Sequence, residues 1–292
     1  MKNQLINLVT HFIQQHADSH GIAETGIDGV MAAGSNKKGP VSHLMFKPLI
    51  CLVLQGSKKV TLGHEEITVK AGQSMVISTV VPISNEIINA AEDKPYVSLV
   101  IDLDLSVIAE LDLEINHLQS GDTKPIQSSN TDDKIIDVSY RLMKLVSNPQ
   151  AIAILSRQLI RELHYWLLVG EQGRHLSELG KPDSIWKKVN RATAKLRNEY
   201  MQPLLIGQLA ECAGMSMASF YQHFRSITNL TPKQYQKQLR LIEANRLMKS
   251  QGLHANSAAF AVGYESVSHF SRDYSKMFGL PPKRHVDRES SL

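Results

Sequence analysis

Two stretches of the chain set hydrogen-bonding side chains at helical spacing beside apolar aromatics: "GMSMASFYQHFRSITNLTPKQ" from Gly214 to Gln234, and "GYESVSHFSRDYSKMFGLPPKR" from Gly263 to Arg284. Tyr221 and Gln222 follow Phe220 in the first; Ser271 and Arg272 follow Phe270 in the second. Hydroxyl, amide and guanidinium groups on one helix face can pair with base edges in a DNA major groove. On an ordinary surface helix the same groups are merely solvated. The repetition favours the first reading. An offset of fifty matches Phe220 with Phe270, Phe224 with Tyr274, Leu230 with Leu280 and Pro232 with Pro282, and an offset of forty-nine matches Ala210 with Ala259 and Gly214 with Gly263.

Reading heads of this kind need elements to hold them. Each copy predicts a short helix with a small residue (205–213 with Ala210; 257–262 with Ala259), a glycine turn, and a serine, Ser216 or Ser266, that caps a second helix. That second helix buries Phe220 and Phe224, or Phe270 and Tyr274, at i and i+4, which leaves its opposite face free. Between the copies, "TPKQYQKQLRLIEANRLMKS" opens on a Thr231 cap with Pro232 at the first helical position, and Tyr235, Leu239, Ile242 and Leu247 form its apolar stripe. About 18 helical residues span roughly 27 Å, close to the ~34 Å between successive major-groove segments on one side of B-DNA.

Charge is divided to match. Residues 1–180 hold 15 basic and 20 acidic side chains, net −5, and residues 181–292 hold 17 and 8, net +9, within an overall +4. A basic carboxy-terminal part on an acidic amino-terminal part points the former at a polyanion. Lys187, Lys188, Arg191, Lys195, Arg197, and Lys233, Lys237, Arg240, Lys283 and Arg284 are candidate phosphate contacts. No signal-peptide core is visible in the first twenty residues, and no run approaches the ~18 apolar residues of a membrane span. The chain therefore reads as soluble and cytoplasmic, with no membrane partner.

Other chemistries fit poorly. Cys51 and Cys212 each sit in an apolar run, too few for a disulfide framework or a zinc site. A metal enzyme built on a barrel needs two or three histidines and a carboxylate converging on one site. Only His43 and His64 lie near the strands, with no H-x-H pair, and nucleophile-elbow, P-loop and dinucleotide-binding motifs are absent. No catalytic residue, metal ligand or cofactor site is expected, and the chain reads as no enzyme.

The amino-terminal half predicts a helix with Leu5, Leu8, Val9, Phe12 and Ile13 on one face, then strands from Leu49 onward. "PLICLVLQGSKKVTLGHEEITVKAGQSMVIS" alternates β-rich runs with turns at Gly56-Ser57, Gly63-His64 and Ala71-Gly72, and Tyr96–Asp104 adds another strand, as in a small barrel or sandwich. Leu52, Leu54, Val60, Leu62, Met75 and Ile77 are the positions that would line a ligand pocket inside it, and equally a plain core; His43, Gln55 and Tyr96 are the polar anchors considered. Two amphipathic helices follow, over 132–148 and 151–170, able to pack on the barrel or on another subunit. "GEQGRHLSELGKPDS" then has linker composition. The expected fold is α+β with two domains: a small β-barrel or sandwich with flanking helices over 1–180, and an all-α domain with two helix-turn-helix units joined by a long helix over 181–292.

The last hundred residues resemble the DNA-binding domain of AraC/XylS-type transcription regulators, through Gly263, Tyr264, Ser266, Ser268, Phe270, Ser271, Arg272, Tyr274, Phe278, Gly279 and Pro282. Ser275, Pro281 and the end "PPKRH" depart from the family pattern. The stretches "LVLQGSKKVTLG", "AGQSMVIS", "KPYVSLVIDLD" and "RELHYWLLVGEQG" resemble the amino-terminal cupin-like domain of the same family. The resemblance implies base contacts at Ala218, Ser219, Tyr221 and Gln222 in the first unit and at Val267, Ser268, Ser271 and Arg272 in the second. Many relatives carry arginine where Gln222 stands. It further implies a small-molecule effector in the barrel, a homodimer, and double-stranded DNA and RNA polymerase as partners. The alternatives are a constitutive regulator whose barrel only dimerises, and a metal-dependent cupin enzyme with a DNA-binding tail.

Overall fold

The computed structural model describes residues 1–115, 124–171, 173–181 and 183–289. Helix α1 (Lys2–His16) buries Leu5, Val9 and Phe12, with Leu8 and Ile13 half-buried beside them. Strands β1 (Ile22–Glu24), β2 (Val30–Ser35) and β3 (Ser42–Phe46) follow, then β4 (Leu49–Gln55), β5 (Ser57–Leu62), β6 (Glu65–Lys70), β7 (Gln73–Ile77), β8 (Val81–Asn89) and β9 (Tyr96–Asp102). Helix α2 (Leu105–Glu114) and strand β10 (Ile126–Asn130) complete this part. The sheet structure thus begins near Ile22 and not at Leu49. "VMAAGS" and "SHLMF" lack the β-branched alternation that marks the later strands, and their partners β9 and β8 supply the pairing instead.

The strands form two antiparallel sheets, ordered β1-β2-β9-β4-β7-β10 and β3-β8-β5-β6. Strand β4, central in the larger sheet, is apolar and buried from Leu49 to Leu54 because both of its faces are covered. One face looks toward α1. The other looks across to the smaller sheet, as the contact between Cys51 on β4 and Lys58 on β5 fixes.

Helices α3 (Asp133–Leu145) and α4 (Pro149–Val169) pack on each other; Pro149 begins α4 at its first turn behind an Asn148 cap. Arg141 of α3 joins them by a hydrogen bond to Glu162 of α4 and also bonds Asp137 on its own helix. The expected linker is largely a helix, α5 (Gly173–Gly180), with Leu176 fully buried and Leu179 5% exposed against α2 and α4. Its glycines and serine read as breakers, but two leucines three apart give it an apolar edge to bury. Gln172 and Pro182 of that stretch lie outside the described residues.

Seven helices follow among the described residues: α6 (Ile185–Asn198), α7 (Ile206–Cys212), α8 (Met217–Thr228), α9 (Pro232–Gln251), α10 (Ala255–Ala261), α11 (Val267–Phe278) and α12 (Pro282–Glu289). The long α9 carries a full capping box at Thr231 and Gln234. Its buried side chains serve two cores. Tyr235 and Leu239 belong to one continuous with the barrel, whereas Leu241, Ala244 and Met248 pack with Phe270 and Tyr274 in a separate cluster. Hence the predicted stripe is incomplete: Ile242 and Leu247 are only half-buried.

Candidate functional site

Both repeated units have the predicted local geometry. The turn glycines Gly214 and Gly263 sit at φ +63° and +84°, where a side chain would be strained. Ser216 Oγ then accepts from the Ser219 amide at 3.3 Å, and Ser266 Oγ accepts from the His269 amide at 3.3 Å. Behind each cap an aromatic pair is fully buried. Phe220 and Phe224 lie 5.3 Å apart between ring centroids, and Phe270 and Tyr274 lie 5.4 Å apart. The Tyr274 hydroxyl donates to Asn245 Oδ1 at 2.8 Å, tying α11 to α9.

This packing decides which side chains face outward. On α8, Ala218, Tyr221 and Gln222 are exposed and Ser219 is half-buried; on α11, Ser268 and Arg272 are exposed and Val267 and Ser271 half-buried. Each amino-terminal half-helix therefore presents a short polar face with its backbone amides nearby, the arrangement with which such helices enter a major groove. Met217 and His269 are also exposed on these first turns. The sequence reading passed over both, although each immediately adjoins residues it named.

The heads are tied to each other by Arg240. Its guanidinium donates to the carbonyls of Tyr200, Met201, Gln202 and Gly263, at 2.7 to 3.0 Å. These carbonyls belong to the loop before α7 and to the turn before α11. The two backbones meet so closely that a Cβ on Gly263 would lie 2.3 Å from Met201 O. Arg240 is therefore committed to protein carbonyls, which corrects its placement among phosphate contacts. Lys195 pairs with Glu199 at 2.7 Å, and Lys237 with Asp273 at 3.5 Å, whereas Arg191, Arg197, Lys233, Lys283 and Arg284 are exposed.

The smaller sheet of the barrel docks on this helical part. Asn229, the left-handed C-cap of α8, donates to Leu62 O at 3.0 Å. The Tyr235 hydroxyl donates to Val80 O at 2.8 Å, and Thr79 Oγ1 to Asn190 Oδ1 at 2.5 Å. His43 stands edge-on to Phe278 at 4.9 Å and bonds to Ser84 Oγ. Burial, with the His285 charge nearby, pushes its pKa down to about 4. His43 thus serves the contact between the two parts and is no anchor inside the barrel.

Within the barrel, pairing sorts the expected pocket positions. Met75 and Ile77 stand opposite Cys51 and Leu49 and share their inward face; Val60 and Leu62 alternate inward with Lys58 on β5. Leu52 stands opposite Leu99 and Ser74, on the face turned toward α1, so it does not line the interior. Leu54 falls in the bulge between Val53 and Gln55, without a paired residue. Gln55 is used locally, donating to Pro95 O at 2.8 Å. Tyr96 does face inward, near Lys58, a residue the sequence reading missed. Among the described residues, no group of three or more histidine, cysteine or carboxylate side chains could hold a metal ion, and no helix is long and apolar enough to cross a membrane.

Known proteins match both halves. Residues 26–175 match the model of the AraC-type transcriptional regulator N-terminus, and residues 209–288 match a helix-turn-helix domain. The transcriptional activator RhaS of Pectobacterium carotovorum is 30% identical over 88 residues, covering 30% of this chain and 32% of that protein. The regulator AlkR of Acinetobacter baylyi is 30% identical over 116 residues, 38% of each. The chain thus matches about a third of the length of these curated relatives. A crystal structure of ToxT from Vibrio cholerae superposes with a TM-score of 0.58 over 89% of this chain and 98% of that one, at 13% identity; an unsaturated-fatty-acid-bound form gives 0.55, 14%, 88% and 94%. At such identity the likeness is one of fold. With an AraC-type domain model spanning more than half of its length and a paired helix-turn-helix unit behind it, the chain belongs to the AraC/XylS family of DNA-binding transcription regulators.

Proposed function

We propose that α8 and α11 read two successive major-groove segments of one operator, and that a small molecule held in the barrel adjusts how they do so. The observation that carries this is the spacer. Helix α9 has 20 residues, about 30 Å at 1.5 Å per residue, against the ~34 Å repeat of the groove, and Arg240 fixes one head against the other. Ala218, Ser219, Tyr221 and Gln222 are the base-reading positions of the first head, and Val267, Ser268, Ser271 and Arg272 those of the second. The inward Val60, Leu62, Met75 and Ile77 form the effector's apolar wall. The fatty-acid-bound ToxT structure supports a small-molecule role for such a barrel.

The reading places the chain in the cytoplasm, without catalytic activity, with the sensing part over 1–180 and the DNA-binding part over 181–292. Activation through RNA polymerase follows the relatives described as activators. A homodimer is supported by Ile154 and Leu155, 66% and 46% exposed on α4. The deciding experiment is selection of oligonucleotides by the full chain against scrambled competitor. A recovered site with two half-elements one turn apart is expected, with log Kd changing by about 0.9 per phosphate contact per log unit of salt. Equal binding to all sequences would refute the reading.

A further inference from the structure

Lys58 is the one inward position of β5 that carries a charge; it alternates with Val60 and Leu62 and is 5% exposed. Its neighbours across the sheet are apolar, Ile87 on β8 and Val69 on β6. Its hydrogen-bond partner is Cys51 Sγ at 3.1 Å, and no carboxylate pairs with it among the described residues. A thiol is a weak acceptor. Burying an ammonium without an anion is costly, so a sequence that keeps one in a barrel wall keeps it against stability.

Two further polar atoms on the same face lack partners. Tyr96 Oη is buried and without a hydrogen bond, in a side chain 3% exposed; Asn85 Oδ1, two residues along β8 from Ile87 opposite Lys58 and so on the same face, is buried and unpaired as well. Burial pushes the Tyr96 phenol up to about 12 against the opposing Lys58 charge, so it remains a neutral donor. For Lys58, burial disfavours the charge, and polar interaction with Cys51 and Tyr96 opposes that and leaves its pKa raised.

Around Lys58 the space between the sheets is closed, with Cys51, Val60, Val69 and Met75 0 to 1% exposed, and farther along the same faces it is less covered. Met31 and Val100, paired with each other and in line with Cys51, remain half-exposed, as do Ile67 and Ile87 on the facing sheet. The alternate residues Ala32, Leu99 and Ile101, turned toward α1, are 0 to 1% exposed. The apolar space between the sheets therefore holds one cation, one unpaired hydroxyl and one unpaired amide oxygen.

We infer that the space between the two sheets binds a small monocarboxylate with an apolar body, its carboxylate seated on Lys58 and Tyr96. A single cation balances one carboxylate, whereas a doubly charged phosphate would bring an uncompensated charge into apolar surroundings. This rests on the reading of the barrel as an effector domain and names the effector's chemical class.

The test is thermal unfolding of the full chain with n-octanoate and benzoate against their neutral counterparts octanamide and benzamide. The acids raise Tm by roughly 5 °C or more at about 100 times their Kd, and the amides do so at least tenfold less tightly. Lys58→Met abolishes the preference for acid over amide, and Tyr96→Phe weakens it. Equal shifts by acids and amides overturn the inference, as does an acid preference that survives Lys58→Met. Ultraviolet absorbance of a Cys51 thiolate at neutral pH in a Cys212→Ser background also overturns it, because Lys58 would then already have its anion. The wild-type comparison of acid with amide stands even if a variant fails to fold. Oligonucleotide selection without ligand reports separately on DNA recognition, so the two ideas can fail independently.

Discussion

Replacing Gly63 with alanine should loosen the joint between barrel and reading heads. Gly63 occupies the tip of the β5–β6 turn at φ +63°, and a Cβ there would lie 2.5 Å from Asn229 O and 3.4 Å from Leu230 Cδ2. Two costs follow. The left-handed backbone alone costs an alanine about 1 kcal/mol. The carbonyl of Asn229 cannot yield without moving the α8 C-cap, and that movement breaks the Asn229-to-Leu62 hydrogen bond, worth about 1 kcal/mol, and disturbs packing by about another 1 kcal/mol. Gly63→Ala is therefore expected to destabilise by about 3 kcal/mol in all. Gly26→Ala is the matched control, since Gly26 sits at φ +76° with nothing within 4 Å of an added Cβ, and strain alone predicts about 1 kcal/mol. Urea unfolding of the full chain measures both, and the difference of about 2 kcal/mol is the contact. Equal losses for the two variants would refute the claim that the turn bears on Asn229.

Other perturbations probe the rest of the molecule. Phe270→Ala should cost about 3 to 5 kcal/mol, and hydrogen exchange should show the loss confined to α10–α12 and the end of α9, because Phe270 packs in the separate cluster. Arg272→Ala should weaken binding to the selected operator by roughly 1 to 3 kcal/mol and binding to random DNA far less; an equal loss on both marks a phosphate contact. Gln222→Arg should move the preferred base at one operator position from adenine to guanine, read by repeating the selection. Acid should destabilise the fold through His175, whose two ring nitrogens lack hydrogen-bond partners and whose pKa burial depresses to about 4 against the opposing Glu178 charge. The unfolded chain binds this proton near pH 6.5 and the folded chain does not. The contribution is thus whole above about pH 6.5 and declines as pH falls toward 4, by on the order of 3 kcal/mol, and His175→Leu should remove that part of the slope.

Local signals made the carboxy-terminal half legible. Gly263, Ser266, Phe270 and Tyr274 each act within a few residues of one another, so turn, cap and buried stripe are written consecutively. The hairpins between Leu49 and Ile77 were legible for the same reason. Strands β1 to β3 were not, because "VMAAGS" and "SHLMF" owe their extended form to β9 and β8, whose paired residues lie 35 or more positions away. Helix α5 hid behind its glycines. Lys58 is the instructive omission: period-two alternation with Val60 and Leu62 already assigned it inward, but a lysine doublet reads as surface. Arg240 shows the reverse, since no spacing rule foretells that four carbonyls from two distant turns converge on one guanidinium.

The two hydrophobic clusters are partitioned unequally, with the first helix-turn-helix unit sharing its interior with the barrel and the second owning a small interior of its own. A chimera that exchanges barrels between relatives by cutting near residue 180 would leave Tyr235 and Asn229 facing a foreign surface. The natural module for such grafting runs from the amino terminus through the first half of α9, and what remains behind is a single detachable head.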